Sequence, residues 1–350
     1  MRLPGGRPSA VARRLVAGAL VIAAGAGCGQ GSKPGPVDLR VVGQFEPPGE
    51  GYLWAPVDVE VDGDRVWVLD AGAGQAYAYD SRGRYRRAIG RKGHGPGELL
   101  DPLALGVAGD TLWVLNTGNA RVEYFSKDGR LLGSEPLPDS LPAPVDLVRW
   151  QGAFVGALAF GASPLVRFGG KEAPVLFGAE LARRAREVAP DGGTVPSVYR
   201  LAVLEGELWV AHLYLPLVGV YAAPGRAPRL LEFEAPDVGR SETSLEERAG
   251  RKRWVLKAPP RPGGGLGFLH LDGRTYLLTH RRGTDGRQIL VWWPDEDAPG
   301  QSVPGLPGIL AVSAARAGER GYVVGARGDA EEPVVLVVEP GSPPGADDPR

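Results

Sequence analysis

Seven polar side chains in this chain have types and positions that fit a binding or hydrolytic site. Carboxylate and amide oxygens are the ligands that a hard cation such as Ca²⁺ prefers, and histidine is the side chain most often used as a general base. Polar residues follow a strand-like tryptophan by three positions, as Asp70 follows Trp67 and Asn116 follows Trp113. The candidates are Asp70, His94, Glu98, Asn116, Asn119, His212 and His280.

A repeat in the sequence predicts the elements that position these residues. Residues 56–84 and 102–130 match without a gap, at an offset of 46 residues. A period in the forties, with several short strand-like runs per unit, is typical of a propeller blade. The matching residues include Pro56, Gly63, Asp64, Trp67, Val68 and Leu69, which recur as Pro102, Gly109, Asp110, Trp113, Val114 and Leu115.

The first unit indicates how each blade is built. The alternating run Val57–Val61 predicts three valines on one sheet face, and Asp62-Gly63 predicts a hairpin turn. Later units are looser, but six can be counted between residues 38 and 339. We therefore expect an all-β fold, a six-bladed β-propeller of four-stranded antiparallel blades. Leu39–Phe45 has no partner in the first unit and is predicted to close the ring as the outer strand of the C-terminal blade.

Two connections between blades lack a strand pattern. Leu181–Val188 contains helix formers and precedes a Pro-Asp-Gly-Gly stop at 190–193. Ser241–Arg253 begins with serines suited to N-capping and ends in basic residues that favour a helix C-terminus. We predict a short helical insert in each.

Blade topology sorts the loops by face. The link from the preceding blade and the loop after the second strand lie on one face, at the mouth of the central channel, where propellers commonly bind ligands. His94 and Glu98 belong to such a link, whereas Asp70, Asn116 and Asn119 follow second strands. The candidates are therefore predicted to share the channel-mouth face.

Three interpretations of these residues remain open. The first is a Ca²⁺-dependent lactonase or esterase, with Asp70, Asn116 and Glu98 as metal candidates and His212 or His280 as a base. The second is that the Asp and Asn residues cap turns by bonding their own backbone. A zinc site from the histidines is disfavoured, because no pair has local ligand spacing. Gly93, Gly95 and Gly97 are predicted to let the chain cross between blades, with Glu98 holding the loop by hydrogen bonds.

The segment Gly90–Glu98, together with Leu112–Asn116 and the Asn119-Ala120-Arg121-Val122 step, resembles the NHL-type repeat of bacterial six-bladed propellers. The resemblance covers residues 56–132. It implies the propeller fold and the binding of other molecules on one face, and it implies no reaction.

The N-terminus resembles a bacterial lipoprotein signal. A basic start precedes the apolar stretch Leu15–Gly27, which is too short to span a bilayer, and Cys28 follows. We predict a signal peptide at 1–27, lipidation of Cys28, a flexible tether at 28–37 and a disordered tail at 340–350. The alternative is ordinary cleavage without lipidation. Cys28 is the only cysteine, so no internal disulfide can form.

Composition excludes one class of partner. Lys and Arg number 40 against 41 Asp and Glu, so no basic excess favours nucleic-acid binding. We expect an exported module of the cell envelope, on the outer membrane or cell surface, held to the membrane only through its N-terminal lipid. A non-enzymatic role is preferred, binding a protein, peptide or glycan without a cofactor, with the Ca²⁺-dependent hydrolase as the alternative.

Overall fold

A computed structural model gives the fold of the chain. The predicted signal peptide, Cys28 and the tether lie outside the residues that it describes, as does the predicted tail beyond Gly341. The described residues are 38–49, 51–139, 142, 144–159, 162–169, 173–189, 198–234, 242–248, 251–258, 265–285, 287–293, 298–327 and 332–341.

These residues form a six-bladed β-propeller of four-stranded antiparallel blades, which confirms the predicted fold class and blade count. In the first five blades, consecutive strands pair in chain order from the innermost strand outward. Blades one to three contain β2 (Pro56–Asp62), β3 (Arg65–Asp70), β4 (Gln75–Asp80), β5 (Tyr85–Ile89); β6 (Pro102–Ala108), β7 (Thr111–Asn116), β8 (Arg121–Ser126), β9 (Leu131–Pro136); and β10 (Pro144–Trp150), β11 (Ala153–Leu158), β12 (Leu165–Phe168), β13 (Val175–Phe177). Blades four and five contain β14 (Tyr199–Leu204), β15 (Glu207–His212), β16 (Leu217–Tyr221), β17 (Arg229–Glu232); and β20 (Gly265–Leu271), β21 (Arg274–Arg282), β22 (Gln288–Trp292), β23 (Gln301–Pro304).

The ring closes through the N-terminal strand, as predicted. Blade six has the order β1 (Leu39–Gln44), β26 (Glu332–Pro340), β25 (Arg320–Arg327) and β24 (Ile309–Ala317), so its outermost strand comes from the other end of the chain. Leu39 pairs with Pro340, which places the first residue of the predicted tail inside the sheet. Just beyond β1, the buried ring of Phe45 lies between Tyr79 and Tyr322 of blades one and six.

Hairpin turns and bulges shape the inner strands. Gly63 and Gly109 have φ of +62° and +60°, a conformation that glycine adopts without steric cost. A bulge in β2 between Pro56 and Asp58 then shifts the pairing with β3. As a result Val57 packs on the side of blade two, whereas Val59 and Val61 pack on the side of blade six. The prediction that the three valines share one face was wrong, because a bulge reverses the side-chain alternation.

The core lies between neighbouring blades rather than within any one of them. Trp67 packs between blades one and two, Trp113 between blades two and three, and Trp209 between blades four and five. The repeated tryptophans thus form contacts between blades, although Trp209 is half-buried. A single four-stranded blade cannot cover its own apolar faces, so each blade is stabilised by two neighbours.

The two predicted inserts have different outcomes. The first is the amphipathic helix α1 (Ala179–Val188), whose Leu181, Ala182 and Ala185 are buried. The second prediction was wrong, because the segment forms the hairpin β18 (Glu242–Arg248) and β19 (Arg251–Ala258). Gly250 disfavours a continuous helix there, and the apolar, β-forming run Trp254-Val255-Leu256 continues the second strand. Within the described part of the chain, no helix is long and apolar enough to cross a membrane.

Candidate functional site

Asp70 ends β3 and joins two loops of blade one. Its buried carboxylate accepts hydrogen bonds from the backbone N–H groups of Trp54 (2.7 Å), Ala55 (3.0 Å) and Ala73 (3.0 Å). The first two groups belong to the link that enters the blade, and the third to the loop after β3. Both carboxylate oxygens are therefore engaged by backbone donors, as in the capping interpretation, and ligand binding by Asp70 stays a prediction.

Asn116 occupies the equivalent position at the end of β7. Its Oδ1 accepts from the backbone N–H of Leu100 at 2.8 Å, and its Nδ2 donates to the carbonyl of Glu98 at 2.8 Å. The side chain is fully buried. Asn116 thus ties the link that enters blade two to the end of the second strand, as Asp70 does in blade one.

His212 ends the second strand of blade four. Its Nδ1 accepts from the N–H groups of Tyr214 (3.0 Å) and Leu215 (3.2 Å). Burial lowers the pKa of His212 to about 3, so the ring is neutral at physiological pH and can accept these bonds. Three chemically different side chains therefore cap the same type of loop.

His280 lies just beyond this position in blade five. It follows Thr279, whose hydroxyl donates to the carbonyl of Ile289. Burial, with a smaller effect from the nearby Arg200, lowers the pKa of His280 to about 4. His280 is therefore close to Arg200, a charged residue of the central channel.

The glycine-rich link before blade two forms a separate cluster. Glu98 accepts from the backbone N–H of Gly95 (2.8 Å) and from Arg91 (2.8 Å), and these bonds lower its pKa. His94 Nδ1 lies 3.0 Å from Asn119 Oδ1, and Asn119 Nδ2 donates to the carbonyl of Gly93. The predicted role of Glu98 in holding this loop is confirmed.

The seven candidates thus fall into separate groups. His94, Glu98, Asn116 and Asn119 come together at the entry to blade two, whereas Asp70, His212 and His280 lie at or near the ends of second strands in other blades. Among the described residues, no group of three or more His, Cys, Asp or Glu side chains could hold a metal ion. None of the seven lines the central channel.

The channel itself has a volume of about 700 Å³ and is lined by the innermost strands of all six blades. Strand pairing identifies one equivalent position in each innermost strand, opposite the second-strand residue that immediately precedes Asp70 or its equivalent. In five of the six blades, the innermost strand has a bulge just before this position. This ring of positions, which we call the axial ring, contains Asp58, Ala104, Asp146, Arg200, Gly267 and Ser313.

The two aspartates of the axial ring join neighbouring blades. Asp58 accepts from the backbone N–H of Leu105 in blade two (2.9 Å) and from the hydroxyl of Ser313 in blade six (2.8 Å). Asp146 makes the corresponding bond to the N–H of Leu201 in blade four (2.8 Å). The axial ring therefore has a structural role as well as exposing charge to the channel.

Burial keeps these carboxyls from ionising easily. It raises the pKa of Asp58 to about 7, with a further contribution from the negative charge of Asp146, while the bond from Leu105 opposes the rise. Burial also raises the pKa of Asp146, although the guanidinium of Arg200 acts in the opposite direction. The channel thus holds one acid beside an arginine and another without one.

Glu60, two residues beyond Asp58 on β2, is the least compensated acid of the channel. Burial raises its pKa to about 8, and the nearby Asp58 and Asp62 add to the rise, with no opposing hydrogen bond. Among the described residues, Glu60 makes no hydrogen bond or ion pair. Glu60 is half-buried, and it lines the channel. The other charged or titratable side chains of the channel wall include Asp146, Arg149, Arg200, His270 and Arg316.

Sequence reasoning overlooked Asp58 and Glu60. A signal was present, because both acids interrupt the inner strand of the best-defined repeat, where blade two has Ala104 and Gly106 at the equivalent positions. The alternation of Val57–Val61 predicts three valines on one sheet face and leaves the acids between them without a role. In a propeller, however, the innermost strand faces neighbouring blades and the channel rather than bulk solvent.

Comparison with known families supports the fold. Residues 53–151 match the family model DUF5128, which is described as a 6-bladed beta-propeller. The NHL-type resemblance stays a prediction. No curated protein sequence matches this chain.

Solved structures show the same fold at low identity. A Bacteroides fragilis protein described as exported is similar with a TM-score of 0.56 and 9% identity, over 87% of this chain and 96% of that one. The PQQ-bound aldose sugar dehydrogenase of Streptomyces coelicolor has a TM-score of 0.52 and 14% identity, over 88% and 99% of the two chains. A DUF4221 family member from Bacteroides vulgatus has a TM-score of 0.52 and 9% identity, over 87% and 99%. At these identities the likeness concerns the fold alone.

Proposed function

We propose that this chain is a non-enzymatic binding module of the cell envelope that takes a peptide or glycan segment into its central channel. The observation that carries the proposal is the channel of about 700 Å³, which is open to solvent and lined by every blade. Its volume lies within the range of about 300–1,000 Å³ that is usual for ligand sites. The loop residues Asp70, Asn116 and His212, in contrast, direct their polar atoms to backbone groups of their own loops.

The proposal includes export and anchoring through acyl chains on Cys28. The apolar stretch before Cys28 supports export, and the similarity to a Bacteroides protein described as exported agrees with it. Acyl chains would hold the propeller at a membrane surface while the channel stays accessible to water. A protein partner fits the same proposal when it presents a peptide or glycan segment to the channel.

Blocking the channel tests this function. Val203 lines the channel and is 37% exposed, so Val203→Trp adds bulk to the opening without displacing a core residue. Val175, 54% exposed on the outermost strand of blade three, provides the matched control Val175→Trp. Both variants should melt at the temperature of the wild type in the absence of ligand.

The assay is the melting temperature of each protein in the presence of a defined library of tripeptides and disaccharides. Library members that bind should raise the melting temperature of the wild type and of Val175→Trp by mass action. The same compounds should fail to stabilise Val203→Trp. Equal stabilisation of the two variants would refute binding in the channel, as would a library that stabilises none of the proteins.

A further inference from the structure

Among the described residues, the channel lining from β2 carries two carboxyls and no Lys or Arg. Asp58 and Glu60 lie two residues apart on β2, and neither pKa shows the influence of any arginine. Arg200 of blade four instead acts on Asp146 of the neighbouring blade three, and it donates to the carbonyl of Val145 at 3.1 Å. Arg200 is therefore engaged by blade three and not by the acids of blade one.

Glu60 also has unused hydrogen-bonding capacity. A carboxylate offers two oxygens with about four acceptor sites, and those of Glu60 have no partner among the described residues. Glu60 is partly exposed in the channel, so water or a ligand there can supply the missing donors. The hydroxyl of Ser313, 2.8 Å from Asp58, lies beside the same wall and can accept a further bond.

We propose, as an extension of the channel-binding function above, that Glu60 and Asp58 bind a primary ammonium group of the ligand. An ammonium has three donors on a compact charge, which matches the free oxygens of Glu60 and the remaining acceptor sites of Asp58 and Ser313. The ligand class is accordingly a peptide with a lysine side chain or free amino terminus, or a glycan with an amino sugar. Charge-assisted bonds of this type are about twice as strong as bonds between neutral groups.

The rest of the channel limits where the ammonium binds. Arg149, His270 and Arg316 occupy the positions one residue beyond that of Glu60 in blades three, five and six. The charges of Arg149 and Arg316 disfavour a cation beside blades three and six, whereas the inner strand of blade one carries acids. A divalent metal is a poorer fit, because Ca²⁺ takes six to eight oxygen ligands and the described residues form no metal-binding group.

Calorimetric titration of the full chain with butane-1,4-diamine tests the proposal. Butane-1,4-diol, which has the same length and no charge, is the ligand control, and calcium chloride tests the metal alternative. The diamine should bind the wild type saturably, with little or no heat from the diol or from calcium. Glu60→Gln should weaken diamine binding by roughly tenfold to a hundredfold, as expected for loss of a bond between charged groups.

Two further variants make the result interpretable. Glu319→Gln removes an exposed carboxylate on a blade-six turn and should bind the diamine as the wild type does. Glu60→Asp retracts the carboxylate and should also bind more weakly, which covers the case that Glu60→Gln does not fold. Equal diamine affinity in the wild type and either Glu60 variant would overturn the proposal, as would tighter binding of calcium than of the diamine.

The outcomes separate this proposal from the function on which it depends. If Val203→Trp abolishes peptide or glycan binding while Glu60→Gln retains it, the ammonium site is wrong and the channel function stands. If Val203→Trp retains that binding, the channel function is wrong, whatever the diamine titration shows.

Discussion

Glu60→Gln should stabilise the ligand-free protein at alkaline pH and leave its stability unchanged at acid pH. The carboxyl of Glu60 has a pKa of about 8 in the folded protein, against 4.5 when it is not buried. Below pH 4.5 this carboxyl is protonated in both the folded and the unfolded chain, so it does not lower the free energy of unfolding. Between pH 4.5 and 8 the unfolded chain ionises and the folded one does not, so the free energy of unfolding decreases as pH rises. Above pH 8 the loss is constant.

The size of the effect follows from the same two values. Each pH unit between 4.5 and about 8 removes about 1.4 kcal/mol, which gives an upper figure of roughly 5 kcal/mol. Solvent in the open channel screens part of this penalty, so we expect about 2 kcal/mol at pH 9. For a domain of this size that corresponds to an increase in melting temperature of about 3 °C.

Urea unfolding of the wild type and Glu60→Gln at several pH values between 4 and 9 measures the difference. Asp58, whose pKa is raised to about 7, keeps both proteins pH-dependent, so the difference between them is the relevant quantity. Glu319→Gln, on an exposed turn, should match the wild type throughout. A Glu60→Gln effect of equal size at pH 4 and pH 9 would refute the argument, because only a buried carboxyl makes the difference grow with pH.

Three other perturbations test the closure, the loop caps and the anchor. Phe45→Ala, which empties the space between Tyr79 and Tyr322, should lower the free energy of unfolding by about 3–5 kcal/mol in one cooperative transition; separate loss of blade six would contradict closure by the N-terminal strand. Asp70→Ala removes the acceptor of three backbone N–H groups and should cost about 1–3 kcal/mol in urea unfolding, whereas a neutral effect would contradict the capping role. Cys28→Ser should move the protein from the membrane fraction to the soluble fraction on cell fractionation, and continued membrane association would contradict lipid anchoring.

The architecture was predictable because repeats constrain it at several levels. The offset between the first two units, the Gly63 and Gly109 turns and the buried second strands all indicate the same blade. The closing strand Leu39–Gln44 was predictable because an unpaired strand at one end needs an edge at the other. The hairpin at 242–258 was missed because its charged residues also satisfy the rules for helix ends, and pairing between strands is not visible in local propensity.

The candidate site was less predictable, because position along the chain does not fix where a side chain points. The sequence placed Asp70, Asn116 and His212 correctly at the ends of second strands, but not their orientation toward backbone N–H groups. The single-residue bulge in β2 changes which side chains face the channel. The residue types at positions 56–58 do not predict that bulge.

The propeller separates two kinds of variation among its blades. At the end of the second strand, Asp70, Asn116 and His212 differ in chemistry, yet each accepts hydrogen bonds from the backbone of its own loops. In the axial ring, the residues at equivalent positions do not make the same interactions. Asp58 accepts hydrogen bonds from blades two and six, Arg200 has the opposite charge, and Ala104 has no polar group. Variation that preserves one interaction is explained by folding alone. Folding alone does not explain variation that gives a six-fold scaffold an asymmetric charge along its axis. This asymmetry supports our proposal that the channel is the functional part of the propeller.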